Sequence, residues 1–167
     1  MKSILHVNNI TKHYPNQPSP ALDHVSFHVS QGEFLGIMGA SGKTTLLNVL
    51  STIDKPTEGD ISMENIQIQK LSQAEAADFR KKQLGFIFQE YFLLDSLTIR
   101  ENISVPLTLL HVPAGRIRSR VNALANAFGI ESQLDKYPSK LSGGQQQRAA
   151  AARAMVKMPP LIFADEP

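Results

Sequence analysis

The chain contains no cysteine, which excludes a disulfide framework, a thiolate zinc centre and a cysteine nucleophile, and suits a reducing compartment. It also lacks any window of the ~18 uninterrupted apolar residues that a bilayer span requires; the first apolar stretch is broken at once by His6, Asn8, Asn9 and Lys12. The sequence therefore predicts neither a membrane-spanning helix nor a secretion signal. Charge of one sign is scarce: 17 Lys and Arg face 15 Asp and Glu, a formal +2, too weak to argue for nucleic acid. Internal repeats and low-complexity linkers are missing as well. What remains is ample for a core. The 167 residues are 42% hydrophobic, and a chain of this length buries roughly 70% of the surface its unfolded form exposes. One globular domain, or a large piece of one, is expected.

The hydrophobic pattern predicts the order of elements. Alternation over Ile4 to Ile10 and again at Val25, Phe27 and Val29 reads as two strands of an antiparallel or mixed layer, separated by Pro15, Asn16, Pro18 and Pro20. Glu33 to Met38 is a short apolar run stopping at Gly39, and from Lys43 the spacing becomes helical, so this stretch reads as strand, glycine loop, helix. Pro56 to Asp60 reads as a turn, Ile61 to Ile68 as strand, and Ser72 with Glu75 as a capping box opening a helix. Leu84 to Phe88 is a further apolar strand. Thr98 and Glu101 form a second capping box, Arg116 to Phe128 has helical periodicity ending at Gly129, and Ser142 to Val156 is the strongest helix. Leu161 to Ala164 reads as a fully apolar strand.

Three segments carry chemistry. The first is Gly39-Ala-Ser41-Gly42-Lys43-Thr44-Thr45, between a strand and a helix. Such a loop suits phosphate because successive backbone amides can point inward, a helix N-terminus adds partial positive charge, lysine adds a point charge and a hydroxyl can hold Mg²⁺. An ordinary glycine-rich turn has the same look. The second is Leu141-Ser142-Gly143-Gly144-Gln145. Ser142 and Gln145 form a capping box, yet two glycines in a first turn cost helix stability, which suits close approach of an anion. The third is Leu161 to Ala164 followed by Asp165 and Glu166, a strand ending in paired carboxylates that can place one on a metal and the other on a water. Taken alone it is also a common solvated loop.

In this order, the three segments resemble the ATP-binding subunit of ABC transporters over essentially the whole chain. Tyr14 stands where the family has an aromatic that stacks on adenine; Gly39 to Thr45 resembles Walker A; Gln89 in Phe-Ile-Phe-Gln matches the Q-loop; Leu141 to Gln145 is the LSGGQ signature; Leu161 to Glu166 is similar to Walker B with its catalytic Glu. Residues 51–59, 84–89 and 93–103 resemble the bacitracin and antimicrobial-peptide exporters, near macrolide-export and lipoprotein-release ATPases. The resemblance implies an α/β P-loop NTPase fold of ABC type, with an N-terminal β-rich subdomain, a parallel core sheet and a helical subdomain. Residues 1–91 and 141–167 would be core and 92–140 helical, in a single domain whose C-terminal part is missing.

It further implies ATP and Mg²⁺ as cofactors. Lys43 would contact the β- and γ-phosphates, Thr44 and Asp165 would hold Mg²⁺ with Gln89 beside them sensing the γ-phosphate, and Glu166 would polarise the attacking water. Ser142 to Gln145 would cap the nucleotide of a second ATP-binding subunit paired head to tail. The segment Tyr91 to Leu94 would face a transmembrane permease subunit, placing the protein peripherally on the cytoplasmic face of the membrane, with no nucleic-acid partner. An inactive truncated remnant and a non-transport ABC ATPase are the alternatives; the near-neutral charge and the absence of a long coiled-coil insertion oppose the latter.

Two departures from the family pattern shape the expectations. Gly39 is followed by only two residues before Gly42 instead of four, which removes up to ~7 Å of loop contour. Counted back from Lys43, Ile37 takes the first glycine's place and disfavours positive φ. Weakened ATP binding is expected. The family's D-loop, switch histidine and last strands do not follow Pro167, so the strand at Leu161 to Ala164 is expected at an uncovered sheet edge. Two smaller features are bland: His24 and His28 fall on the polar side of a strand, and Arg116, Arg118 and Arg120 spread around a helix without an aromatic ladder.

Overall fold

In the computed structural model, which describes residues 2–165, the alternating N-terminal residues form β1 (Ser3–Lys12) and β2 (Leu22–Ser30), paired antiparallel. The chain divides into two compact units between Arg80 and Lys81. In the first, β3 (Glu58–Met63) and β4 (Ile66–Gln67) complete an antiparallel sheet of order β2-β1-β3-β4. Alternation along β1 is interrupted where Asn9 takes φ 53 and the register with both neighbours shifts. This bulge lets Val7 and Ile10 both point into the core while Asn8 and Asn9 stay exposed. The expected single strand from Ile61 to Ile68 is instead a hairpin: Glu64 and Asn65 both have positive φ, the geometry of a two-residue turn matching strand twist.

Helix α1 (Lys43–Leu50) follows the glycine loop and buries Leu46, Val49 and Leu50; α2 (Gln73–Gln83) opens on the Ser72–Glu75 capping box. One expectation fails here. Glu33 to Met38 forms no strand, every residue from 31 to 40 is exposed, and Phe34 and Met38 are 94% and 95% exposed. A strand is held by a neighbour that satisfies its amides and carbonyls. Among the described residues no strand pairs with this run, so its apolar pattern alone does not make it one.

The second unit is built on β5 (Leu84–Ile87) and β6 (Leu161–Ala164), paired parallel from Leu84 opposite Leu161 to Ile87 opposite Ala164. Gly85 must be glycine: a methyl there would lie 2.7 Å from Ala154 O and 3.0 Å from Pro159. Helices α3 (Ile99–Leu109), α4 (Ala114–Ala127) and α5 (Gly143–Met155) enclose a core that includes Ile103, Leu107, Val121, Ile130, Ala149 and Ala152. On α5, Ala149, Ala150, Ala152 and Ala154 are buried. α4 ends at Gly129 with φ 63, as the spacing predicts. The histidines and arginines set aside above are exposed.

Asn102, fully buried on α3, is the polar strut of this unit. Its Oδ1 accepts from Leu94 N–H at 2.7 Å, and its Nδ2 reaches the carbonyls of Leu94, Leu97 and Thr98, each at 3.0 Å. Asn102→Ala is expected to cost about 2 kcal/mol, because buried loop amides lose their partner. A urea melt that leaves the midpoint unchanged would show that water replaces the side chain freely.

Candidate functional site

In the first unit the glycine loop is positioned by Gly42, whose φ of 85 and closeness to Ala21 O, 2.8 Å from an added methyl, admit only glycine. Ile37 is not among the positive-φ residues. Gly42 accepts the first helical bond from Leu46 N–H at 2.8 Å, and no side chain caps the helix. The first-turn amides of Lys43, Thr44 and Thr45 thus face outward at the positive end of α1, the arrangement that takes an anion. Ser41 and Thr44 are exposed, Thr45 half-buried. The Lys43 ammonium, however, turns back to donate to the carbonyl of Gly39. The lysine expected at the phosphate is bonded within its own short loop.

Tyr14 lies just beyond β1, half-buried, in a cluster the sequence does not disclose. Its hydroxyl donates to Asp54 Oδ2 at 3.0 Å, Lys12 Nζ donates to Asp54 Oδ1 at 2.7 Å, and Lys55 N–H donates to the same oxygen at 2.7 Å. Burial pulls the Asp54 pKa up, but these hydrogen bonds and the Lys12 charge outweigh it and hold the carboxyl below its usual value of 3.8. A lowered folded-state pKa gives stability that is complete above the unfolded value and lost as pH falls through the folded one. Acid unfolding of this unit is therefore expected to steepen below about pH 4, and Asp54→Asn to flatten that limb; superimposable acid titrations by circular dichroism would contradict it.

In the second unit the parallel register brings Gln89 and Asp165 to the same end of the β5–β6 pair. Asp165 N–H continues the ladder to Ile87 O at 2.9 Å, and Gln89, two residues past Ile87, is exposed beside it. Glu166, the expected catalytic carboxylate, lies outside the described residues. Thr44 hydroxyl, Gln89 amide and Asp165 carboxylate are hard oxygen donors, the kind Mg²⁺ prefers.

The signature segment opens α5. Ser142 N–H donates to Gln145 Oε1 at 2.9 Å and Gln145 N–H to Ser142 Oγ at 3.4 Å, a complete capping box. Methyl groups at Gly143 and Gly144 would meet nothing closer than 3.6 Å, so packing within the chain does not demand either glycine. Both lower helix propensity, and packing among the described residues supplies no reason for them. Arg153, further along α5, carries no motif in the sequence. Its guanidinium donates to Phe92 O at 2.5 Å and Tyr91 O at 2.7 Å, holding the left-handed pair that follows Gln89. Burial lowers its pKa from the usual value.

Comparison with known proteins places the chain in a family. A sequence model described as ABC transporter matches residues 22–167. The bacitracin export ATP-binding protein BceA of Halalkalibacterium halodurans is 49% identical over 169 aligned residues, covering 99% of this chain and 67% of that protein. The ABC transporter ATP-binding protein YxdL of Bacillus subtilis is 48% identical, covering 100% of this chain and 66% of its own length. The dimeric, post-hydrolysis structure of the ATP-binding cassette MJ0796 with ADP and Pi superposes with a TM-score of 0.86 at 36% identity, over 97% of this chain and 73% of that one. The chain spans about two thirds of the length of the curated relatives.

Proposed function

Because the chain belongs to the ABC transporter family of ATP-binding subunits, in the group of bacitracin and antimicrobial-peptide exporters, we propose that the full-length protein couples MgATP binding and hydrolysis to export of a peptide or drug. The observation that supports this reading is the N-terminus of α1 behind Gly-Lys-Thr, which no side chain caps; α5 opens on Ser-Gly-Gly-Gln, whose two glycines are not demanded by packing within the chain. In this reading Gly39, Ser41, Gly42, Lys43, Thr44 and Thr45 bind the phosphates, Tyr14 takes the base, and Ser142, Gly143, Gly144 and Gln145 close on the nucleotide of a second copy. Thr44, Gln89 and Asp165 hold Mg²⁺, which when bound neutralises phosphate charge. Glu166 orients the water.

No helix among the described residues is long and apolar enough to cross a membrane. Transport in this reading needs a separate permease, met by the exposed Phe92 and Leu94 at the cytoplasmic face of the membrane. The test is biological: cells carrying the full-length protein and its permease are expected to resist bacitracin or a related peptide, and Lys43→Ala to abolish that resistance. Resistance that survives Lys43→Ala sinks the proposal. A second reading, a remnant with impaired nucleotide affinity, is favoured by the turn of Lys43 onto Gly39 O.

A further inference from the structure

We propose that Lys12 and Asp54 are positioning residues that fix Tyr14 as a one-sided stacking platform, accepting a planar base on a single face of its ring. The inference rests on the nucleotide reading above and deepens it. Lys12 Nζ lies 4.9 Å from the Tyr14 ring centroid, so one face is already taken by a cation. That ammonium is fully engaged: besides Asp54 it donates to Lys55 O at 2.7 Å, and its side chain is only 12% exposed. It is therefore a strut and not a spare phosphate ligand. Asp54 neutralises it and accepts the hydrogen bond of the phenol hydroxyl.

Asp54 is itself seated, its N–H donating to Asn48 O of α1 at 3.0 Å, and the segment carrying Tyr14 is tied by His13 N–H to Thr57 Oγ1 at 3.0 Å. The ring is thus held by contacts from both sequence directions before any ligand arrives, which lowers the ordering cost of stacking. Because the hydroxyl's one proton is spent on Asp54, the platform has no side-chain donor left to read a base edge. It recognises the π-face, which every base has. Nucleoside triphosphates as a class are its ligands, with discrimination among the bases left to other groups.

The test is competition binding to the full chain with ATP, GTP and inorganic tripolyphosphate, the last having charge but no base. Lys12→Met is expected to weaken ATP and GTP alike, roughly five- to tenfold, and to leave tripolyphosphate unchanged. Lys12→Arg, which keeps the cation, restores base binding, and Asp54→Asn weakens it in the same direction; thermal melts establish that each variant is folded. Equal losses for ATP and tripolyphosphate would make Lys12 a phosphate ligand and overturn the proposal. So would ATP affinity untouched by Lys12→Met, or failure of Lys12→Arg to restore it. A chain that binds neither ATP nor tripolyphosphate defeats the nucleotide reading and this one together, whereas ATP binding indifferent to Lys12 defeats this one alone.

Discussion

Insertion of Ser-Gly between Gly42 and Lys43 is expected to tighten ATP binding by about 30- to 100-fold, the equivalent of roughly 2–3 kcal/mol. The insertion restores four residues between Gly39 and the glycine before lysine. In the present loop the contour is short, Lys43 folds onto Gly39 O, and α1 begins immediately at Lys43. Phosphate binding of the proposed kind needs both the lysine and the amides at the start of α1; here the ammonium is bonded back to Gly39 O. Two more residues let the loop wrap the phosphate while the ammonium moves outward, and each charge-assisted bond regained is worth about 1.5–3 kcal/mol. Titration with a fluorescent ATP analogue measures the change. An insertion variant no tighter than the parent would show that loop length is not what limits affinity, and Lys43→Ala in the lengthened loop should return the affinity to the parent's level.

The parts of this molecule that could be read from sequence are those whose physics is local. Three capping boxes, at Ser72, Thr98 and Ser142, need only a hydroxyl and a carboxylate or amide three residues apart, and all three form. The helix start at Lys43 and the stop at Gly129 are equally local. Glu33 to Met38 is different: its apolar pattern is satisfied by a strand only if another strand lies alongside, which no residue within the run decides. The Glu64–Asn65 turn leaves no such mark, because it uses Asn in the left-handed region without the glycine that usually announces it. For the site, spacing and residue type disclosed Gly39 to Thr45 and Ser142 to Gln145, since glycines near a helix start have few other uses. The supporting groups stayed hidden. Lys12 meets Asp54 across 42 positions and Arg153 meets Tyr91 across 62, and neither pair leaves a periodic trace.

Gly59→Ala is expected to be the most damaging single methyl in the chain, costing ~3 kcal/mol or more, while Gly32→Ala costs ~1 kcal/mol. Both glycines have positive φ, 90 and 79, so both pay the left-handed penalty. Only at Gly59 is the space also taken: an added methyl would press on Asn9 O and lie 2.6 Å from Asn9 C and 2.7 Å from Asn8 O, all backbone, whereas at Gly32 nothing lies within 4 Å. Backbone atoms cannot rotate away as a side chain can, so the β1 bulge must open or β3 must shift. The two variants share chemistry and φ, and their difference isolates the steric part; chemical denaturation of both, in one buffer, measures it. Equal losses would mean that the bulge yields easily. The consequence reaches the site, because Thr57, just before β3, receives His13 N–H and donates its own N–H to Thr11 O at 2.8 Å. A displaced β3 therefore drags the segment that carries Tyr14. Where Gly59→Ala remains folded, it is expected to weaken ATP more than tripolyphosphate, the same selective loss that Lys12→Met produces by a different route.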